Sequence, residues 1–143
     1  MPSEQRRILV DDDNPASQCL IETLLRRNQQ QVSGMTNGAE AVRGLMTIPY
    51  DLLLLDVHMP EMDGIEATQA IRAANGPIRK VPITALADDA LSGDRERFIA
   101  AGMDDYLPKP IDPKALAALI EWLCALPRPR SRRRQWHTPA KHR

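Results

Sequence analysis

The sequence predicts an α/β protein with a parallel sheet, because short apolar runs alternate along the chain with longer segments of helical periodicity. The clearest run is the four leucines at 52–55, which are too few for a helix and fit a strand buried on both faces. Strands that alternate with helices form a sheet covered by helices on both sides. We therefore expect three layers, with the strand at 52–55 near the centre of the sheet.

Five strands are predicted, and a helix follows each of them. The strands are placed at residues 6–10, 31–35, 52–55, 81–86 and 105–107. The first and last helices each begin with a capping residue and a proline, Asn14-Pro15 and Asp112-Pro113. The fourth helix runs from about Ala90 to Ala101 and is stopped by Gly102. Right-handed crossovers and this chain length favour a doubly wound, flavodoxin-like (βα)5 sheet with strand order 2-1-3-4-5.

The composition is typical of one soluble globular domain, with 43% apolar and 27% charged residues among 143. No apolar run approaches the roughly 18 residues of a membrane span, and the first residues lack a signal-peptide core. We therefore expect a cytoplasmic protein. Cys19 and Cys124 have no metal-binding spacing, and we expect both to be small core residues, with Met46 also facing inward.

The formal net charge of zero conceals two regions of opposite charge. Residues 127–143 contain seven of the 19 Lys and Arg residues and no acid, so residues 1–126 carry a net charge of −7. We predict one domain at 1–126 and an unstructured basic tail at 127–143. The tail could attract nucleic acid through phosphate contacts, but it has no helix-turn-helix pattern, and a solvated tail or linker is the alternative.

Acidic residues follow the first and third strands, whose carboxyl ends lie side by side in the predicted order. Asp12 and Asp13 follow the first strand, and Asp56 follows the third. Carboxylates brought this close repel one another unless a cation lies among them. Magnesium prefers such oxygen ligands, so a metal site is one interpretation and a fully solvated acidic loop is the other.

Lys109 follows the fifth strand and therefore reaches the same edge of the sheet. A lysine there can neutralise one acid or hold an incoming anionic oxygen. A metal ion, an ionised aspartate and an ammonium group at one point make a site for phosphoryl transfer to the aspartate.

Three motifs in the chain resemble the receiver domain of bacterial two-component response regulators. They are Asp-Asp-Asn-Pro at 12–15, Asp-Val-His-Met-Pro-Glu-Met-Asp-Gly at 56–64, and Ala-Gly-Met-Asp-Asp-Tyr-Leu-Pro-Lys-Pro at 101–110. The likeness covers residues 6–125 with matching spacing throughout. The residues at 93–97 and 102–106 are similar to receivers attached to hybrid sensor histidine kinases.

The resemblance implies that Asp56 accepts a phosphoryl group from a histidine kinase or a histidine phosphotransfer protein. It also implies that Asp13, Asp56 and the backbone carbonyl of His58 hold Mg²⁺, or Mn²⁺, while Asp12 acts mostly through metal-bound water. Lys109 would contact the phosphoryl oxygens.

Other implied roles concern residues around the phosphoryl group. Lys109-Pro110 is a candidate cis bond. Tyr106 matches the switch aromatic of the family, with a half-buried strand aromatic as the alternative reading. The side chain of His58 would modulate dephosphorylation, and Asp89 would add negative charge beside the site.

The chain departs from the family pattern where receivers carry Thr or Ser at the end of the fourth strand. By spacing this position is Ala87, since placing it at Thr84 would cut the strand to three residues. The hydroxyl normally contacts the phosphoryl group, so we expect a weakened switch. Asp11 is a second departure, because an apolar residue usually ends the first strand; it could tighten cation binding or point at solvent.

The implied chemistry is limited to the domain's own phosphorylation and hydrolysis, so the chain is not expected to be an enzyme in the ordinary sense. A homodimer through the face of helix 4, strand 5 and helix 5 is the family's usual assembly, and we expect no membrane contact. A divergent pseudo-receiver that acts by docking alone is an alternative. A haloacid-dehalogenase-type phosphatase is less favoured because His58 stands where that class needs a second Asp.

Overall fold

The computed structural model of the protein describes residues 5–35, 38–57, 63–87 and 94–126. These residues form five strands that alternate with five α-helices. The strands are β1 (Arg7–Asp11), β2 (Gln31–Met35), β3 (Leu52–Asp56), β4 (Ile83–Ala87) and β5 (Asp105–Pro108). The helices are α1 (Pro15–Arg27), α2 (Gly38–Thr47), α3 (Gly64–Ala73), α4 (Asp94–Ala101) and α5 (Pro113–Ala125), and a short 3-10 helix spans Pro77–Lys80.

The strands form one parallel sheet in the order β2-β1-β3-β4-β5, which confirms the predicted topology. All five residues of β3 are buried, because the strand lies between β1 and β4 and helices cover both faces. The sheet order places the carboxyl ends of β1 and β3 next to each other. The basic tail at 127–143 and the predicted helix start at Ala90 lie outside the described residues.

Alternate side chains of the central strand enter two separate apolar clusters, one on each face of the sheet. Leu53 and Leu55 pack in the cluster that includes residues of α2, α3 and α4. Leu52 and Leu54 pack in the cluster that includes residues of α1 and α5. The continuous leucine run is therefore a strand with two buried faces, as the sequence predicts.

The predicted caps are present at both proline-led helices. Asn14 accepts hydrogen bonds from the backbone N–H groups of Ala16 and Ser17, and Asp112 accepts one from Lys114 N–H. These side chains satisfy N–H groups that the first helical turn leaves without partners. Within the described ranges, no helix is both long enough and apolar enough to cross a bilayer.

Two predictions about the core are wrong. Met46 is 67% exposed, because the preceding residue, Leu45, occupies the inner position of α2 and consecutive residues point about 100° apart around a helix. Cys19 is exposed because it lies on the side of α1 opposite Ile21. Cys124 is half-buried against the core of α1 and α5.

Candidate functional site

Three acidic side chains meet at the carboxyl edge of the sheet. Asp12 and Asp13 follow β1, and Asp56 is the last residue of β3. One carboxylate oxygen from each lies within 4.8 Å of the others. Asp12 and Asp56 are buried and Asp13 is exposed, so the group opens to solvent on one side. The convergence predicted from adjacent strand ends is therefore present, and we refer to these three residues as the carboxylate cluster.

The loop after β1 fixes the orientation of Asp12. Its Oδ1 accepts a hydrogen bond from Asn14 N–H at 2.9 Å, and its own N–H donates to Met35 O at 3.2 Å. Because Asn14 also caps α1, the start of that helix and the position of the Asp12 carboxylate are set by one residue.

Lys109 joins the carboxylate cluster from the neighbouring side of the sheet. Its Nζ lies 3.0 Å from Asp12 Oδ2 and 3.2 Å from Asp56 Oδ2. The backbone holds it there, since Lys109 N–H donates to Ala87 O at 2.7 Å and the Lys109-Pro110 peptide bond is cis, as expected. The ammonium group is therefore anchored to the end of β4 while it contacts both buried carboxylates.

The electrostatics keep Lys109 charged. Burial by itself lowers the pKa of the ammonium group, but the hydrogen bonds and negative charges of Asp12 and Asp56 outweigh this effect and raise the pKa above its ordinary value of 10.5. Stability from the pairing is thus fully present below that ordinary value, and it is lost only as the pH rises through the raised pKa.

The carboxylate cluster fits a hard divalent cation. Three carboxylates face a single ammonium group, so negative charge remains in excess among the described residues at the site. Carboxylate oxygens suit Mg²⁺, which keeps several water ligands, and the exposed Asp13 leaves one side open for them. His58, whose backbone carbonyl is a predicted ligand, lies outside the described residues.

Asp11 is fully buried, which excludes the alternative in which its side chain points at solvent. Both its carboxylate oxygens lack a hydrogen-bond partner among the described residues. Side chains alternate along a strand, so Asp11 is on the same face of β1 as Leu9, and it is not one of the three residues of the carboxylate cluster. Burial raises its pKa to about 7, and the charges of Glu40 and then the cluster add to the effect.

Ala87 lies where the sequence places the missing hydroxyl. It is the last residue of β4, it is buried, and it directly follows Leu86, the β4 partner of Asp56. Thr84 lies near the other end of the strand, opposite the first residue of β5, Asp105. The geometry supports the choice of Ala87 over Thr84.

Tyr106 is half-buried in β5 and packs on Phe98, with ring centroids 6.2 Å apart. This arrangement fits the alternative reading of a half-buried strand aromatic, and the switch role stays a prediction. Asp89, predicted to modulate the site, lies outside the described residues.

Gly64 is a positioning residue, and in the sequence it stands out only as the last residue of the motif at 56–64. Its N–H donates to Val57 O at 3.2 Å, and a Cβ at Gly64 would lie 2.6 Å from the backbone oxygen of Asp56. No side chain fits there, so only glycine lets α3 begin directly against the end of β3. The glycine that follows a capping aspartate, Asp63, was the available signal.

The profile of the response regulator receiver domain family matches residues 8–121 of the chain. The chain belongs to this family. The matched range of this receiver contains the whole carboxylate cluster, together with Lys109, Ala87 and Tyr106.

Curated relatives of this receiver include sensor histidine kinases. It is 39% identical over 122 residues to the sensor histidine kinase GacS of Pseudomonas protegens, covering 84% of this chain and 13% of the relative. It is 39% identical over 113 residues to the signal transduction histidine-protein kinase BarA of Shigella flexneri, covering 79% of this chain and 12% of the relative. The chain thus spans about an eighth of the length of these relatives.

Solved structures agree with the receiver fold. The receiver domain of sensor histidine kinase PA1611 from Pseudomonas aeruginosa has a TM-score of 0.78 and 39% identity, covering 86% of this chain and all of that one. That crystal structure has a magnesium ion coordinated in its active site cleft. The chemotaxis response regulator CheY4 of Vibrio cholerae, with a TM-score of 0.77 and 23% identity over 84% of this chain and 99% of that one, shares the fold.

Proposed function

We propose that this receiver accepts a phosphoryl group on Asp56 from a phosphohistidine of a histidine kinase or a histidine phosphotransfer protein, and that phosphorylation changes partner binding. The main support for the proposal is the contact of Lys109 Nζ with both Asp12 and Asp56 in the carboxylate cluster. An ammonium group bound to the acceptor carboxylate is already placed to receive phosphoryl oxygens. Similarity to the receiver segments of sensor histidine kinases supports the class of donor.

In the transfer step, an ionised Oδ of Asp56 attacks the phosphorus atom of the donor. The new O–P bond forms as the P–N bond to the donor imidazole breaks, and the bonding electron pair leaves with the imidazole nitrogen, which takes a proton from solvent. Asp56 is suited to the role because it ends β3 and its backbone is fixed there, since the next residue, Val57, donates its N–H to Leu86 O at 3.1 Å.

Asp13 and Asp56 would hold the divalent cation together with the backbone carbonyl of His58, and Asp12 would act mostly through metal-bound water. The magnesium ion in the active site cleft of the PA1611 receiver supports a cation at this place in the fold. When bound, Mg²⁺ neutralises negative charge on the incoming phosphoryl oxygens. The raised pKa of Lys109 keeps its ammonium group charged. This group would move from the carboxylates to a phosphoryl oxygen and neutralise part of the negative charge of the phosphoryl group.

Phosphorylation should require both Mg²⁺ and Asp56. We expect intact-mass spectrometry to show one added phosphoryl group after incubation with acetyl phosphate and Mg²⁺, and no addition in EDTA or in the Asp56→Asn variant. The asparagine amide is a poor nucleophile and loses the charge that helps to hold the cation.

Asp51→Asn is the matched control, because Asp51 flanks the same leucine run at the opposite edge of the sheet. Its Oδ2 accepts Arg7 N–H at 2.9 Å, and asparagine retains an acceptor there. We expect the control to be phosphorylated like the unaltered chain. An adduct of equal yield in Asp56→Asn would contradict the assigned role of Asp56.

A docking-only receiver is the second candidate function, and the missing hydroxyl at Ala87 is the observation that favours it. Titration with Mg²⁺ separates the two, since a domain that acts by docking alone needs no cation at Asp13 and Asp56. A homodimer through α4, β5 and α5 stays a prediction.

A further inference from the structure

A groove of about 370 Å³ lies beside β5 and α5, away from the carboxylate cluster. Its walls come from the start of β5, from β4 and from one face of α5. The lining residues are Thr84, Asp104, Asp105, Ala118, Leu119 and Trp122. Trp122 is 47% exposed, so the groove offers an accessible aromatic residue next to two acids.

The acids of the groove retain exposed negative charge. Asp104 pairs with Arg72 Nη2 at 3.0 Å, yet half of its side chain remains exposed. Asp105 is exposed, and no ion pair joins it to another residue in the described part of the chain. Lys114 is the single basic residue of α5, and it lies about 12 Å along the helix from Trp122.

The chain leaves α5 close to this groove. Arg6 Nη2 donates to Cys124 O at 3.2 Å and to Leu126 O at 2.8 Å, which anchors the end of the helix at the amino edge of the sheet. Asp105 begins β5 at the same edge, because the strands are parallel. Trp122 precedes Leu126 by one helical turn, about 6 Å.

The segment that continues from this point has the complementary charge. Residues 127–143 contain seven Lys and Arg residues and no acid, and five arginines fall within 128–134. Guanidinium groups bind carboxylates in a bidentate manner and stack on indole rings. Residues 127–134 span at most about 28 Å when extended, which is ample for a groove one helical turn away.

We propose that the arginines of 128–134 dock intramolecularly in this groove, with the carboxylates of Asp104 and Asp105 and the indole of Trp122 as their contacts. The tail of the same molecule is favoured over a separate partner because a short tether gives an effective concentration in the millimolar range. The proposal does not depend on phosphorylation of Asp56.

The test uses the full chain with Trp136→Phe, so that Trp122 is the sole indole and reports on the groove. We expect replacement of the five arginines at 128, 130, 132, 133 and 134 by serine to raise the acrylamide quenching constant of Trp122 by about twofold, because a stacked guanidinium shields the ring. High salt should have the same effect in the arginine-containing chain, since the Debye length falls from about 10 Å at 0.1 M to about 3 Å at 1 M.

A matched pair of single variants locates the contact. Asp105→Asn should raise quenching, whereas Glu96→Gln, which removes one exposed acid from α4, should not. Equal quenching with and without the arginines overturns the proposal, and so does an equal effect of the two acid variants. Protection that grows with protein concentration assigns the groove to the tail of a second copy and also overturns it.

Discussion

Replacing Asp11 with valine is expected to raise the free energy of unfolding by on the order of 4 kcal/mol at about pH 8. The buried Asp11 carboxylate has no hydrogen-bond partner among the described residues, and its pKa is raised to about 7 from an ordinary 3.8. Burial disfavours the ionised form of this carboxylate, so the folded state is destabilised at any pH at which Asp11 would be ionised in the unfolded chain. Valine removes that cost and introduces an apolar side chain on the same face of β1 as Leu9.

The gain should depend on pH in a defined direction. Because the folded state binds the proton more tightly than the unfolded state, the protein loses stability as the pH rises from 3.8 through about 7. The advantage of Asp11→Val should therefore be about 2–3 kcal/mol smaller at about pH 5 than at about pH 8. Urea unfolding in EDTA at both pH values measures this difference.

Asp11→Asn provides the control for charge, since it is nearly isosteric with aspartate and does not ionise. We expect it to share the pH dependence of the valine variant but to show a smaller gain, because the amide remains polar in a buried position. A stabilisation by Asp11→Val that is equal at both pH values would show that charge at Asp11 is not the cause.

Replacing Ala87 with threonine is expected to strengthen the phosphorylated state. A hydroxyl at the end of β4 could donate a charge-assisted hydrogen bond to a phosphoryl oxygen, worth about 1.5–3 kcal/mol, or roughly a 10- to 100-fold change in an equilibrium constant. We therefore expect a larger phosphorylation-dependent change in the NMR signals of Tyr106 and an altered lifetime of the aspartyl phosphate.

Ala87→Val separates the hydroxyl from the added volume, since valine has nearly the shape of threonine and no donor. Ala87 is only 2% exposed, so both variants add atoms to a packed position and should lose similar stability. Only threonine should change the phosphorylated state. If threonine and valine behave alike, Ala87 does not weaken the switch.

Much of the fold follows from local patterns in the sequence. The leucine run at 52–55 marks a strand buried on both faces, and the Asn14 and Asp112 caps mark two helix starts. These features give the alternation of strands and helices, and crossover handedness then leaves few strand orders. Because strand ends meet at one edge of a parallel sheet, the grouping of Asp12 with Asp56 could also be predicted.

The remaining details depend on side-chain direction and backbone proximity, which sequence patterns do not specify. Three consecutive acids look alike in the sequence, yet the pleat directs Asp11 into the core beside Leu9 and Asp12 to the carboxylate cluster. The apolar character of Met46 predicts a core position, but Leu45 takes the inner position of α2 and Met46 is exposed. The close approach of Gly64 to Asp56 becomes visible only when α3 is placed against β3.

Locating the phosphoryl group on the chain tests whether Asp56 is the phosphoacceptor. Borohydride reduction converts an aspartyl phosphate to homoserine, and tryptic cleavage at Arg43 and Arg72 releases a peptide that contains Asp56 as well as Asp51 and Asp63. After incubation with acetyl phosphate and Mg²⁺, tandem mass spectrometry should find homoserine at position 56 alone. Homoserine at position 12 or 13 instead, or at no position in a chain shown to be folded, would contradict the proposal that Asp56 is the phosphoacceptor.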